Sequence, residues 1–76
     1  MSYTVPEGAT TRVQIKIYDL QGRLTRTLVN EDKQPGRYVV RWDGRDDRGT
    51  VVSSGHYFYH IRAGDFTSSR KMIILR

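Results

Sequence analysis

Three of the eight carboxylates of this chain fall in one short stretch: Asp43, Asp46 and Asp47 lie together with Gly44 and Gly49. Its two imidazoles, His56 and His60, fall a little further on. Clustered acids suggest a cation site. A calcium loop of the helix-loop-helix kind takes acids at alternating positions, a closing Glu and about six to eight oxygens. That spacing is missing, and Arg45 and Arg48 sit among the acids. These aspartates are expected instead to accept backbone N–H groups in turns. On one strand the two histidines point the same way but stand roughly 13 Å apart. They cannot share a metal held at about 2 Å from each nitrogen. Both are expected at the surface.

Catalysis finds no foothold. Cysteine is absent. Ser53 and Ser54 fall in a turn and Ser68 and Ser69 in a terminal strand, without a cue for a neighbouring base. Glu7 and Glu31 fall in loops, unpaired for acid–base work. The glycines follow no phosphate-binding pattern. The expectation is a chain without enzymatic activity and without a cofactor.

What must hold these residues is a set of short strands. No stretch keeps an apolar period near 3.6, and glycines punctuate at short intervals. Tyr3 to Val5 reads as a first strand, stopped by Pro6. Arg12 to Tyr18 alternates: Val13, Ile15 and Ile17 face one way, Arg12, Gln14, Lys16 and Tyr18 the other. Asp19-Leu20-Gln21-Gly22 reads as a type I turn. The third strand runs from Arg23 to Val29. Arg26 shares the face of Leu24 and Leu28 by parity, so a bulge or a rim position is expected there. Asn30 to Gln34 reads as a polar loop, and Gln34-Pro35-Gly36-Arg37 as a type II turn.

Tyr38, Val40 and Trp42 form the inward face of the fourth strand, and Val51-Val52 a short fifth. The sixth follows Gly55, with Tyr57, Tyr59 and Ile61 inward and Phe58, His60 and Arg62 outward. Gly64-Asp65 reads as a two-residue hairpin loop. The last strand runs from Phe66 to about Leu75. The fold class is all-β. Seven short antiparallel strands bury one face each only if two sheets pack together, so the expectation is a seven-stranded β-sandwich. Its predicted core is Val13, Ile15, Ile17, Leu24, Leu28, Tyr38, Val40, Trp42, Tyr57, Tyr59, Ile61, Met72 and Ile74, with Trp42 as the central plug.

Seventy-six residues make one domain, 1–76, with a thin stability margin. No apolar run approaches the roughly 20 residues of a membrane helix, and Met1 to Pro6 is expected to read directly into folded sequence, without the pattern of a signal peptide. The net charge is +5, mostly from arginine. Arg12, Arg23, Arg26, Arg37, Arg41, Arg45, Arg48, Arg62, Arg70 and Arg76 are spread along the chain, as expected of the outward half of alternating strands. Nucleic acid is therefore not expected as a partner. Phe58, outward beside His60 and Arg62, is a candidate protein-binding patch. Val39 and Arg41 would join it if the fourth strand neighbours the sixth.

Several segments together resemble a known family. Ser2 to Glu7, Val13 to Arg23 and Arg26 to Val29 are similar to the immunoglobulin-like domain of the flagellar hook-capping proteins. They equally resemble the C-terminal sorting domain of type IX secretion. The likeness continues through Gly36-Arg37-Tyr38, Trp42 to Asp46, Ser54 to Tyr59 and Arg70 to Leu75. It implies an immunoglobulin- or fibronectin III-like sandwich at the C-terminal end of a large exported bacterial protein. In the sorting branch it implies a signal read by an outer-membrane translocon, with Gly55, His56 and Tyr57 as the Gly-x-Tyr element and Arg70 and Lys71 as the basic terminal strand. A Pro-Asn-Pro stretch and a passenger domain are not seen, as in an excised or redesigned module.

The leading expectation is thus a non-catalytic sorting or anchoring module of the cell envelope, located at the cell surface after export, whose export signal lies outside this chain. Its expected sorting or partner surface comprises Gly55, Tyr57, Phe58, His60, Arg62, Arg70 and Lys71. The alternative is a structural or adhesive sandwich that self-associates through the edge of Met72-Ile73-Ile74-Leu75. The expected partner is a protein, either the secretion machinery or a second copy.

Overall fold

The computed structural model describes residues 1–8 and 10–75. Six antiparallel strands follow in order: β1 (Ser2–Val5), β2 (Thr11–Asp19), β3 (Leu24–Lys33), β4 (Gly36–Val39), β5 (Gly55–Ala63) and β6 (Phe66–Ile74). They form a four-stranded sheet of order β3-β2-β5-β6 and a two-stranded sheet, β1-β4. No helix occurs among the described residues. The two sheets pack face to face. Val5 of β1 is buried against Val13, Ile15, Ile61 and Ala63 of the larger sheet, with Tyr3, Tyr38 and Val40 packed around them.

The alternation of β2 dictates its place. Val13, Ile15 and Ile17 are wholly buried, as a strand paired on both sides and covered on one face requires. The β2–β3 hairpin closes as the Asp19-to-Gly22 turn predicts. The Gly22 N–H donates to the Asp19 carbonyl at 3.0 Å, and Gly22 takes φ 85°. The Asp19 carboxylate accepts the N–H groups of Gln21 and Arg23 at 3.0 and 2.9 Å. The β5–β6 loop has Gly64 at φ 61° and Asp65 at negative φ, the pattern of a type II′ turn.

Several expectations are corrected. The seventh strand is not formed: Val51 makes one bridge, to Arg45, and Val52 lies outside any strand. β4 ends at Val39, short of Trp42, and pairs β1 instead of neighbouring β5. Val39 and Arg41 therefore do not join Phe58. The polar stretch Asn30 to Lys33 is strand, because Gln14, Val13, Arg12 and Thr11 pair with it in register. Gly36 has φ 152°, away from the value near 80° of a type II turn. The Tyr38 hydroxyl instead donates to the Gln34 carbonyl at 2.6 Å.

The core shifts accordingly. The bulge expected near Arg26 is present twice, with register breaks opposite Ile15/Lys16 and Ile17/Tyr18. Leu24 consequently lies opposite Tyr18 on the outer face and is 50% exposed, where parity counting placed it inside. Arg26 lies opposite Ile17 at the rim. Val5 and Ala63, outside the predicted core, are buried. Trp42 is half-buried at one end of the sandwich, outside the cluster around Val5. Its indole N–H donates to the Arg45 carbonyl at 2.8 Å, and its ring meets the Tyr57 ring edge-on at 5.6 Å. It is a wedge under a loop and not a central plug. The arginines also divide. Arg12 and Arg62 point outward from the larger sheet, Arg70 lies on its inner side, Arg23, Arg45 and Arg48 stand in loops, and Arg76 lies outside the described residues.

Candidate interaction site

Asp43 and Asp46 accept N–H groups within their own turns, as expected, whereas Asp47 reaches across to strand β3. Asp43 accepts the Arg45 N–H at 3.0 Å. Asp46 accepts the N–H groups of Arg48 and Thr50 at 3.0 and 2.9 Å. Asp47 accepts the Thr27 N–H at 3.0 Å. The Arg26 guanidinium then reaches the carbonyls of Arg45 and Asp46 at 3.1 and 3.3 Å, with Asp43 at 3.5 Å. The stretch is a cross-linked clasp on β3. Among the described residues no three His, Cys, Asp or Glu side chains gather as metal ligands.

The outer face of the four-stranded sheet has a different character. Strand register sets its side chains in rows across four strands. One row runs Leu24, Tyr18, Phe58, Lys71, and the next Thr27, Lys16, His60, Ser69. A third runs Asn30, Gln14, Arg62, Thr67. Directly opposed residues on one face lie within about 5.5 Å, so Tyr18, Phe58 and the Lys71 stem form one continuous strip. Arg12 extends the face and is paired with Asp32 at 3.5 Å and with the Asn30 side-chain oxygen at 3.1 Å. Lys16, Arg62 and Lys71 have no carboxylate partner among the described residues. Cations that the linear sequence scatters are thus gathered on one face by β2, β5 and β6. Neither β1 nor β4 covers it.

The expected site residues divide between the two faces. Phe58, His60, Arg62 and Lys71 lie together outside. Tyr57 is buried on the inner face, where its hydroxyl donates to the Ser53 carbonyl at 2.8 Å. Gly55 opens β5 at the end where Trp42 packs on Tyr57. Arg70 stands opposite Tyr59 on the inner side of β6. Gly55, Tyr57 and Arg70 therefore do not share a surface with the other four. Lys16 and Tyr18 lie outside the expected surface set. Their place beside His60 and Phe58 depends on the pairing of β2 with β5, which alternation within either strand does not reveal.

The opposite end of the sandwich carries a second polar group. Tyr3 and Tyr38 stack at 5.3 Å, and the Lys33 ammonium stands 5.1 Å from the centre of the Tyr38 ring. Lys33 also pairs with Glu31 at 2.7 Å. That contact lowers the Glu31 carboxyl and raises the Lys33 ammonium from their ordinary ranges. Burial raises the Tyr3 phenol. The group is a structural brace between β3, β4 and β1.

Residues 1–65 match the family model described as the FlgD Ig-like domain. No curated protein and no solved structure matches the chain significantly.

Proposed function

Because the chain belongs to the FlgD Ig-like domain family, we propose that it is a non-catalytic structural module of an exported bacterial assembly of the hook-capping kind. It engages a protein partner through the outer face of its larger sheet. The observation that carries the reading is the open strip of Tyr18, Phe58 and Lys71 beside Lys16 and His60. Aromatic side chains ringed by unpaired cations suit an acidic protein surface: the rings supply contact area and the cations set orientation and association rate. Its place of action is outside the cytoplasm, as part of the exported assembly.

The family match ends at Asp65. β6, with Arg70 and Lys71, lies beyond it, and the sorting reading that leans on that strand draws no support from the match. No described helix is long and apolar enough to cross a membrane.

The test is a hook-capping protein whose own Ig-like domain is exchanged for this chain. The chimera is expected to support hook assembly. A chimera carrying Phe58→Ala with Lys16→Glu and Lys71→Glu is expected to fail while keeping its strand-type circular dichroism. Equal assembly by both chimeras would remove the outer face from the function.

A second reading rests on the place of β6. It is one edge of the larger sheet; Ile73 on it is 61% exposed, and Leu75 just past its end is 87% exposed. Edge-to-edge pairing of two copies would use this strand. Strict monomer behaviour in sedimentation at millimolar concentration excludes it.

A further inference from the structure

The two sheets differ in width, and the difference leaves a groove. β1 and β4 cover the inner face of β2 and β5, while β6 extends beyond them. Between the far edge of β1 and the inner side of β6 runs a cavity of about 420 Å³. Ser2, Thr4 and Pro6 form one wall, and Tyr59, Phe66 and Arg70 stand on the other. Phe66 is 61% exposed there.

The register of β1 shows what its wall offers. Met1 and Val40 exchange both backbone bonds: the Met1 amino group donates to the Val40 carbonyl at 2.9 Å, and the Val40 N–H donates to the Met1 carbonyl at 2.8 Å. In an antiparallel ladder such exchanging pairs alternate along the strand. With Tyr3 opposite Tyr38 and Val5 opposite Gly36, these pairs also face β4. The backbone N–H and C=O groups of Ser2 and Thr4 therefore point the other way, into the groove. Pro6, which has no N–H, ends this row.

The geometry points to an added strand: an extended peptide segment of a partner protein, paired along β1, with apolar side chains at alternate positions and one carboxylate reaching Arg70. Each part of that description answers a group on the walls. The backbone of Ser2 and Thr4 asks for another backbone in extended form, since a helix has already spent its own N–H and C=O groups. Tyr59 and Phe66 ask for apolar side chains, which fall on one side of a strand at every second residue. Arg70 has no ion pair among the described residues, and none of the residues around the groove is acidic. A guanidinium so placed takes a carboxylate in a charge-assisted pair. A second copy of this chain fits less well, because each copy carries a net charge of +5. The groove lies on the inner side of the larger sheet, away from Phe58 and Lys71, so this proposal stands apart from the outer-face reading.

The test is titration of isotope-labelled protein with an end-blocked heptapeptide, Thr-Val-Thr-Glu-Thr-Val-Thr, and with its glutamine twin, followed by backbone amide resonances. Shifts are expected at Ser2 and Thr4, with slower hydrogen exchange at both. The glutamine twin is expected to bind about fivefold more weakly, the worth of one partly exposed ion pair. Arg70→Ala is expected to make the two peptides equal. Thr4→Pro, which removes an N–H that β4 does not use, is expected to abolish binding of both. If Thr4→Pro does not fold, the comparison of the two peptides on the native chain and on Arg70→Ala still decides. Shifts confined to Phe58, Lys71 and their neighbours would overturn the proposal. So would an absence of shifts at millimolar peptide. A peptide-free dimer with Ser2 and Thr4 already protected would assign the groove to a second copy instead.

Discussion

Asp47 holds Thr27 by its backbone: the carboxylate accepts the Thr27 N–H at 3.0 Å, while the Asp47 N–H donates two residues away to the Thr25 carbonyl at 3.1 Å. Both contacts fall at the irregular stretch of β3, where register breaks take backbone groups out of the ladder with β2. A loop residue thus supplies partners that a bulged strand lacks, and Arg26 ties the same loop from the other side.

Asp47→Ala is accordingly expected to cost about 1–2 kcal/mol, since it strips a partner from a backbone donor as well as from Arg26. Asp47→Asn, which keeps an acceptor oxygen, is expected to lose less than half of that. Urea denaturation of both variants measures the difference. Equal losses would mean that the charge, and not the bond to Thr27, matters.

Val5 is 1% exposed and is the one wholly buried side chain that β1 contributes. Val5→Ala removes about two buried carbon groups and leaves a cavity, so a loss of about 2 kcal/mol is expected. Because β1 holds β4, the amides of Gly36 and Tyr38, which face β1, should exchange faster in the variant. Unchanged exchange in β4 would show that this two-stranded layer does not depend on Val5.

Trp42→Ala is expected to cost about 2–3 kcal/mol, less than a fully buried tryptophan. The loss comes from the indole N–H bond to Arg45 and the edge contact with Tyr57. The near-ultraviolet circular dichroism of Tyr57 should change with it. Trp42→Phe keeps the ring contact and should recover about half. A loss above about 4 kcal/mol would restore Trp42 to the centre of the core.

Two carboxylates are expected to make the domain acid-sensitive. The Asp19 carboxyl is held below its ordinary range chiefly by the Arg23 N–H, with the Arg23 guanidinium and the Gln21 N–H adding to it. Glu31 is held low by its bond to Lys33. A carboxyl lowered in the folded state stabilises it above the unfolded-state value. That contribution is lost as pH falls through the lowered one. Stability should therefore decline from neutral pH into the acid range, and Asp19→Asn and Glu31→Gln should each flatten the decline. Lys33, raised by Glu31, works in the opposite sense, its share being lost as pH rises through its raised value. Urea midpoints across the acid range test this, and unaltered slopes in both variants would refute it.

What the sequence makes legible is what local chemistry decides. The alternation of β2 names three of the most buried residues, and Asp19-to-Gly22 and Gly64-Asp65 name both hairpin turns. The awkward parity of Arg26 announces a bulge. What stays hidden depends on distant partners. Asn30 to Lys33 is strand because β2 pairs with it, although its composition is that of a loop. Val51-Val52 has strand composition and gains only one bridge, since only the short Gly44-Arg45 stretch lies beside it. At the candidate site, Phe58, His60 and Arg62 are legible as an outward set. Their union with Tyr18 and Lys16 requires the β2–β5 register, and Arg70 faces inward because β6 counts its parity from the Gly64-Asp65 turn.

The pairing of β2 with β5, from Val13 with Ala63 to Asp19 with Tyr57, also governs how the chain reaches this shape. Each of the two hairpins it joins can zip from its own tight turn within microseconds. Their docking has to wait until the connection from Gln34 to Ser54 has looped back, a long-range closure of the kind that slows small β-proteins to milliseconds or seconds. The slow event is thus the meeting of two preformed ribbons. Until they meet, the valine and isoleucines of β2 stay wet, and the newborn chain is most prone to stick to its neighbours in that interval.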